Sequence, residues 1–92
     1  MQNEKIIKVL KALAHPQRLG IVERLKDGEV CVCEMNEESG FSQSNLSQHL
    51  KILRDADVLT FRKDGNKVLY SVRNRDIFEI IDALKVTVDK DV

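Results

Sequence analysis

The apolar residues of this 92-residue chain recur at helical spacing in several separate stretches. In residues 3–14, isoleucine, valine and leucine alternate with lysine in a way that predicts an amphipathic helix. This helix should stop just before Pro16, because the residue that precedes a proline is pushed out of the helical region. Pro16 itself suits the first position of a second helix, which Gly28 would end. A short third helix is predicted to begin near Val30 and to be capped by Gly40.

Residues 42–56, SQSNLSQHLKILRDA, carry two stripes on one predicted helix. The first stripe consists of leucines at i, i+4 and i+7, and the other is uncharged and polar apart from one lysine. Polar side chains of these types can contact base edges and phosphates in a major groove. We therefore predict a DNA-recognition helix in which these residues face the DNA: Gln43, Ser44, Asn45, Ser47, Gln48 and Lys51.

The start of this helix has signals of its own. Ser42 is a favourable N-cap, and Phe41 before it can pack on Leu46, which fixes the angle at which the chain enters the helix. A short helix, a glycine turn and a second helix entered in this way have the layout of a helix-turn-helix.

Beyond Asp57 the spacing of apolar residues changes to two, which predicts strands at residues 58–63 and 67–72. The segment Asp64-Gly65-Asn66 between them favours a hairpin turn. Three basic residues lie near the tip of this β-hairpin: Arg62, Lys63 and Lys67. After a recognition helix we interpret such a hairpin as a wing that contacts phosphate or the minor groove. In isolation it would be interpreted as a solvated hairpin, because edge strands often carry lysine.

A helix predicted over residues 76–88 has more apolar surface than one side of a small domain can absorb. The first helix has a similar surplus at Ile6 and Ile7. We predict a homodimer joined by helical ends at about residues 3–14 and 76–88. Packing of these two helices against each other within one chain is the alternative.

The charges balance over the whole chain but are segregated along it. Residues 42–75 hold seven Lys/Arg against three Asp/Glu, which places a net charge of +4 around the predicted recognition helix and wing. Gathered positive charge is typical of a surface that binds a polyanion. We expect a single domain over residues 1–92. No stretch has the pattern of a membrane span or a signal peptide, so a cytoplasmic protein with no membrane partner is expected.

Four blocks of the sequence resemble, in order, the signatures of the ArsR/SmtB metalloregulatory repressors: LAHPQRLGIVERL, VCVCEM, SQSNLSQHLKILRDADVL and FRKDGNKVLYSV. The resemblance covers about residues 5–75. It implies a mostly α (α+β) fold, a winged helix-turn-helix with helical dimerisation ends. It also implies a dimer that represses an operon by binding double-stranded operator DNA and leaves the DNA when a metal ion or another inducer binds.

The resemblance further implies a sensing site. The arsenic-type site of the family matches the segment Cys31-Val32-Cys33, although the third cysteine of that pattern falls at Asn36 here. The zinc-type site needs Asp and His pairs on the last helix, and residues 76–92 contain no histidine. The predicted metal ligands are therefore Cys31 and Cys33. Thiolates prefer soft or thiophilic ions, so As(III) or Sb(III) is the favoured inducer, with Cd(II) and Pb(II) as alternatives.

Two cysteines at i and i+2 point about 200° apart on an ideal helix but lie on the same side of an extended segment. If both bind one ion, the first turn of the third helix should therefore fray or unwind, which would disturb the recognition helix that follows. A third ligand would come from a small thiol, the partner subunit, Glu34 or Glu37. Two alternatives stay open for the pair, a redox or persulfide sensor or two small hydrophobic residues.

His15 and His49 are kept out of the metal site, because packing or phosphate contact suits both positions better. An enzyme is not expected, since the sequence has no C-x-x-C pair, no Gly-rich phosphate loop and no plausible Ser/His/Asp set. No cofactor is expected to be required for folding. The remaining rival is a winged helix that binds protein, because that fold does not by itself imply DNA binding.

Overall fold

Helices and short strands alternate along the computed structural model, which describes residues 2–39 and 43–89. The elements are, in order, α1 Gln2–Leu13, α2 Pro16–Arg24, β1 Val30–Cys31, α3 Val32–Ser39, α4 Gln43–Asp55, β2 Leu59–Asp64, β3 Lys67–Val72 and α5 Asp76–Asp89. This order confirms the predicted helix-turn-helix, hairpin and terminal helices. The predicted glycine cap, staple and N-cap at Gly40, Phe41 and Ser42 lie outside the described residues.

The break between α1 and α2 lies where the proline predicts it. His15 has extended backbone angles (φ −155°, ψ 129°) and caps α2, since its Nδ1 accepts the N–H of Gln17 at 3.1 Å. Pro16 takes the first helical position, where its missing N–H breaks no helical hydrogen bond. Helix α2 ends at Arg24, and a turn leads to Gly28, whose φ of +134° is a conformation that side chains with a Cβ rarely adopt.

The wing is an antiparallel hairpin of β2 and β3, as predicted. Leu59 pairs with Val72 at its base and Asp64 with Lys67 at its tip. Gly65 in the turn has a φ of +62°, which glycine adopts without steric cost.

A third strand of the sheet does not follow from the sequence pattern. Val30 and Cys31 form β1, which pairs with β3 in antiparallel orientation and gives the strand order β1-β3-β2. The predicted helix near Val30 is therefore wrong for these two residues, and α3 begins at Val32. The physical reason is that the open edge of β3 offers backbone hydrogen bonds, which the first residues of a helix leave unmade.

The leucine stripe of α4 is buried, as predicted. Leu46, Leu50 and Leu53 are 1%, 3% and 0% exposed, and they pack in one cluster with apolar residues of α2, the sheet and α5. The cluster holds α4 by one side only. Its opposite side, where the polar stripe lies, therefore stays accessible.

The outer sides of α1 and α5 remain apolar and exposed in a single chain. The exposed residues are Ile6, Ile7 and Leu10 on α1 and Ile80, Leu84, Val86 and Val88 on α5. This confirms the predicted surplus of apolar surface on the two terminal helices. None of the helices in the described part of the chain has the length and apolar content needed to cross a membrane.

Candidate DNA-binding surface and thiol pair

Helix α4 presents its polar stripe to solvent. Four of the residues predicted to contact DNA have exposed side chains: Asn45, Ser47, Gln48 and Lys51. Gln43 and Ser44 belong to the first turn of the same helix. An exposed polar helix side that is held by buried leucines behind it has the dimensions that a major groove admits.

The wing carries the predicted basic residues on exposed positions, but one of them is already paired. Arg62 donates two hydrogen bonds to Glu29, from Nε to Oε2 at 3.0 Å and from Nη2 to Oε1 at 2.5 Å. The Arg62 guanidinium holds the pKa of the Glu29 carboxyl below its usual range. Lys63 and Lys67 are exposed beside it. A DNA phosphate would therefore compete with Glu29 for Arg62.

The wing is also anchored to the end of the recognition helix. Arg54 of α4 donates from Nη1 to the hydroxyl of Tyr70 in β3 at 3.2 Å. Its guanidinium lies 5.3 Å from the ring centroid of Phe61, and that ring lies 5.5 Å from the ring of Tyr70. A cation over an aromatic face at this distance is attracted by the ring. Wing and recognition helix are therefore held together by contacts that the sequence pattern did not reveal.

The two cysteines meet where β1 passes into α3. Cys31 is buried at the end of the strand, Cys33 is exposed in the first turn of the helix, and the N–H of Cys33 donates to Cys31 Sγ at 3.4 Å. A hydrogen bond from the Cys33 thiol lowers the pKa of Cys31, with further lowering from the backbone N–H groups of Cys33 and Glu34. The same thiol contact raises the pKa of Cys33. The pair therefore loses its first proton from Cys31 more readily than an ordinary thiol does.

The structure changes the premise of the expectation that the first turn of the third helix must fray or unwind, which assumed that both cysteines lie in that helix. Cys31 lies in the two-residue strand β1 and Cys33 in the first turn of α3, and the backbone N–H of Cys33 donates to Cys31 Sγ. The argument from opposite sides of a helix does not apply, because Cys31 is not part of the helix.

The described side chains supply two thiols and no complete metal site. Within residues 3–35 and 45–89, where side chains are described, no group of three or more His, Cys, Asp and Glu residues is arranged to hold a metal ion. Glu34, one of the carboxylates considered as a third ligand, lies 3.9 Å from Arg24 in an exposed ion pair. The side chain of Glu37 is outside the described part.

His49 contacts residues of α2. Its Nε2 lies 2.8 Å from the side-chain oxygen of Gln17, and its Nδ1 lies 3.3 Å from Arg18. The ring centroids of His49 and His15 are 4.7 Å apart. Both histidines are thus engaged in contacts between helices. Sequence reasoning missed Gln17 and Arg18, whose only signal is their place just after Pro16 in the first turn of a helix.

A helix-turn-helix with an exposed polar second helix, followed by a basic hairpin, defines a winged helix-turn-helix DNA-binding domain. The family model described as bacterial regulatory protein, arsR family, matches residues 15–60. The chain belongs to the ArsR family, and it is a transcriptional repressor of the ArsR/SmtB type and not an enzyme.

Similar proteins are known in several bacteria. The arsenical resistance operon repressor of Staphylococcus aureus is 38% identical over 86 residues, which are 94% of this chain and 83% of that protein. The crystal structure of Rv0081 from Mycobacterium tuberculosis matches with a TM-score of 0.87 at 34% identity, over 97% of this chain and 90% of that one. HlyU from Vibrio cholerae matches with a TM-score of 0.82 at 35% identity, over 90% of both chains. These likenesses confirm the predicted fold.

Proposed function

We propose that this protein is a homodimeric repressor that leaves its operator when a trivalent arsenic or antimony ion bonds to Cys31 and Cys33. The observation that carries the proposal is the placement of the two cysteines where β1 passes into α3. There the backbone N–H of Cys33 donates to Cys31 Sγ, and the pKa of Cys31 is lowered. The similarity to an arsenical resistance operon repressor supports the choice of arsenic. Cd(II) and Pb(II) are the second choice, because thiolates bind them as well.

The chemistry of arsenite suits a pair of this kind. In water As(III) is As(OH)3. For each thiol that reacts, one As–S bond forms, one As–O bond breaks, and the thiol proton leaves with the hydroxide as water. Two such steps leave one oxygen on arsenic, which a small thiol can replace in the same way. Because the thiolate is the attacking species, the lowered pKa of Cys31 favours the reaction of its thiol with arsenic.

The sheet offers a route from the thiols to the DNA-binding surface. Cys31 lies opposite Leu69 of β3, and Leu69 lies opposite Arg62 of β2, so the three residues form one row across the sheet. Glu29, two residues before Cys31, binds Arg62 at the far end of this row. A shift of β1 that accommodates arsenic would therefore act on the wing directly.

Operator reading is assigned to α4 and the wing. In this proposal Ser44, Ser47 and Gln48 contact bases, and Gln43, Asn45 and Lys51 complete the DNA-facing side of the helix. The wing residues Arg62, Lys63 and Lys67 contact phosphate or the minor groove. The exposed apolar sides of α1 and α5 support the homodimer. Two copies would present their recognition helices about one turn of DNA, roughly 34 Å, apart.

The test is a titration of operator-bound protein, followed by the fluorescence anisotropy of labelled DNA. As(III), Cd(II), Zn(II) and a polysulfide are added in turn to the wild type and to Cys31→Ser/Cys33→Ser. Serine keeps an acceptor at position 31 for the start of α3, so the variant should still bind the operator. Release of the wild type alone by As(III) supports the proposal. Equal release of both proteins would remove Cys31 and Cys33 from the mechanism, and release by polysulfide alone would favour thiol oxidation.

A further inference from the structure

One imidazole of the recognition helix is held at both of its nitrogens. His49 Nε2 lies 2.8 Å from Gln17 Oε1, and His49 Nδ1 lies 3.3 Å from Arg18 Nη1. Both partners belong to the first turn of α2. His15, the N-cap of α2, packs its ring on that of His49, with 4.7 Å between the two ring centroids. Polar contacts therefore fix the side of α4 that faces α2, in addition to the buried leucines.

The two partners define the protonation state of His49. A guanidinium can only donate hydrogen bonds, so Nδ1 of His49 must accept from Arg18 and carries no proton. Nε2 then carries the single proton and donates it to the side-chain oxygen of Gln17. A second proton would have to sit on Nδ1, directly against the Arg18 cation.

Arg18 extends this contact to α1. Its Nε donates to the carbonyl oxygen of Ala12 at 2.7 Å, and its Nη2 donates to the carbonyl oxygen of Lys11 at 3.5 Å. These groups belong to the last turn of α1, where a helix leaves carbonyls without internal partners. One guanidinium thus joins the end of α1 to the middle of α4. We call the set of His49, Gln17 and Arg18 the His49 clamp.

We propose that His49 is a positioning residue for operator binding. The His49 clamp fixes the rotation of α4 about its own axis relative to α1 and α2, and so determines which side chains meet the DNA. Successive residues of a helix differ by about 100° in direction, so a modest rotation moves the neighbouring Gln48 away from a base edge. This role rests on operator binding and does not depend on arsenic. The two proposals can therefore fail separately.

The His49 clamp has a defined dependence on pH. Burial lowers the pKa of His49 below its usual range, and the nearby His15 and Arg18 lower it further. Lys8, Lys11 and Asp55 line the adjoining cleft with Arg18. Above the lowered pKa the ring is neutral and the clamp is closed. As the pH falls through that pKa the ring gains a proton that faces Arg18, and the clamp opens.

The experiment compares His49→Gln, His49→Leu and His15→Asn with the wild type. Glutamine keeps one donor and one acceptor, leucine keeps bulk without either, and asparagine at position 15 keeps a cap while His49 remains. Affinities for an operator duplex selected in vitro with the wild type, and for an unrelated duplex, are measured between about pH 5.5 and 8 at fixed salt. Circular dichroism and sedimentation report folding and association.

The measured quantity is the ratio of operator to unrelated-DNA affinity. His49→Leu should lower this ratio about 10-fold at neutral pH, and His49→Gln should restore most of it. The ratio of the wild type and of His15→Asn should fall on acidification, whereas that of His49→Gln should stay flat. An unchanged ratio in a folded His49→Leu protein would overturn the proposal. A ratio that still falls on acidification in His49→Gln, or that no longer falls in His15→Asn, would also overturn the proposal. These two measurements test the proposal even if His49→Leu does not fold.

Discussion

Replacing Ile80 with alanine should weaken the proposed dimer without unfolding the protomer. Ile80 lies on the outer side of α5 and is 48% exposed in one chain. Burying an isoleucine side chain completely contributes about 1.5–3 kcal/mol, so covering the exposed half contributes about 1 kcal/mol. A two-fold dimer contains this side chain twice. The variant should therefore lose about 2 kcal/mol of dimer stability, which raises the dimer Kd roughly 30-fold.

The chain offers a matched control for this substitution. Ile52 is also a helical isoleucine and is 42% exposed. It lies on α4 in a cleft beside Lys8 and Lys11, and does not belong to the exposed apolar sides of α1 and α5. Ile52→Ala removes the same atoms and should leave the dimer Kd within about twofold of the wild type. Sedimentation equilibrium over a dilution series measures both constants, and thermal unfolding checks that each protomer is folded. If both variants raised the dimer Kd equally, or if neither raised it above that of the wild type, the terminal helices would not form the interface.

Three further predictions concern the thiols and the wing. Cys33→Ala removes the thiol that lowers the pKa of Cys31, so the thiolate absorbance of Cys31 should appear at higher pH than in the wild type. An unchanged midpoint of this titration would contradict the role assigned to Cys33. Glu29→Gln should release Arg62 for a phosphate and steepen the plot of log DNA affinity against log salt concentration by about one unit. An unchanged slope would mean that Arg62 does not contact DNA. Lys63→Ala should flatten the same plot by about one unit for operator and unrelated DNA alike, and a loss confined to the operator would contradict a phosphate contact.

Local sequence signals were sufficient for the elements that carry their own boundaries. Pro16 marks the break between α1 and α2, because its ring restricts the backbone of the residue before it. The spacing of Leu46, Leu50 and Leu53 predicts a buried helix side, and the turn at Gly65 predicts the hairpin. Each of these signals acts within a few residues, so no knowledge of the tertiary structure was needed.

The features that the sequence did not predict depend on partners far along the chain. Strand β1 has only two residues, and it exists because β3 offers it an edge some forty residues later. The pairing of Arg62 with Glu29 spans 33 residues, and the contact of His49 with Gln17 spans 32. In the sequence, a basic residue of a wing that is paired with a carboxylate looks the same as one that is available to DNA. Only the tertiary structure distinguishes the two cases.

Strand β3 bears on how an inducer could lower DNA affinity. It pairs with β1, which contains Cys31, and with β2, and its Tyr70 accepts a hydrogen bond from Arg54 of α4. An inducer can shift an equilibrium only by binding one conformation better than another. An arsenic ion bonded to Cys31 and Cys33 favours any conformation that brings the two sulfur atoms to bonding distance. In the proposed mechanism the pairing of β1 with β3 would pass a shift of Cys31 to the wing and, through the contact of Arg54 with Tyr70, to the end of α4. In the proposed mechanism release therefore needs a change in sheet geometry within each protomer, and the interface of α1 and α5 can stay as it is.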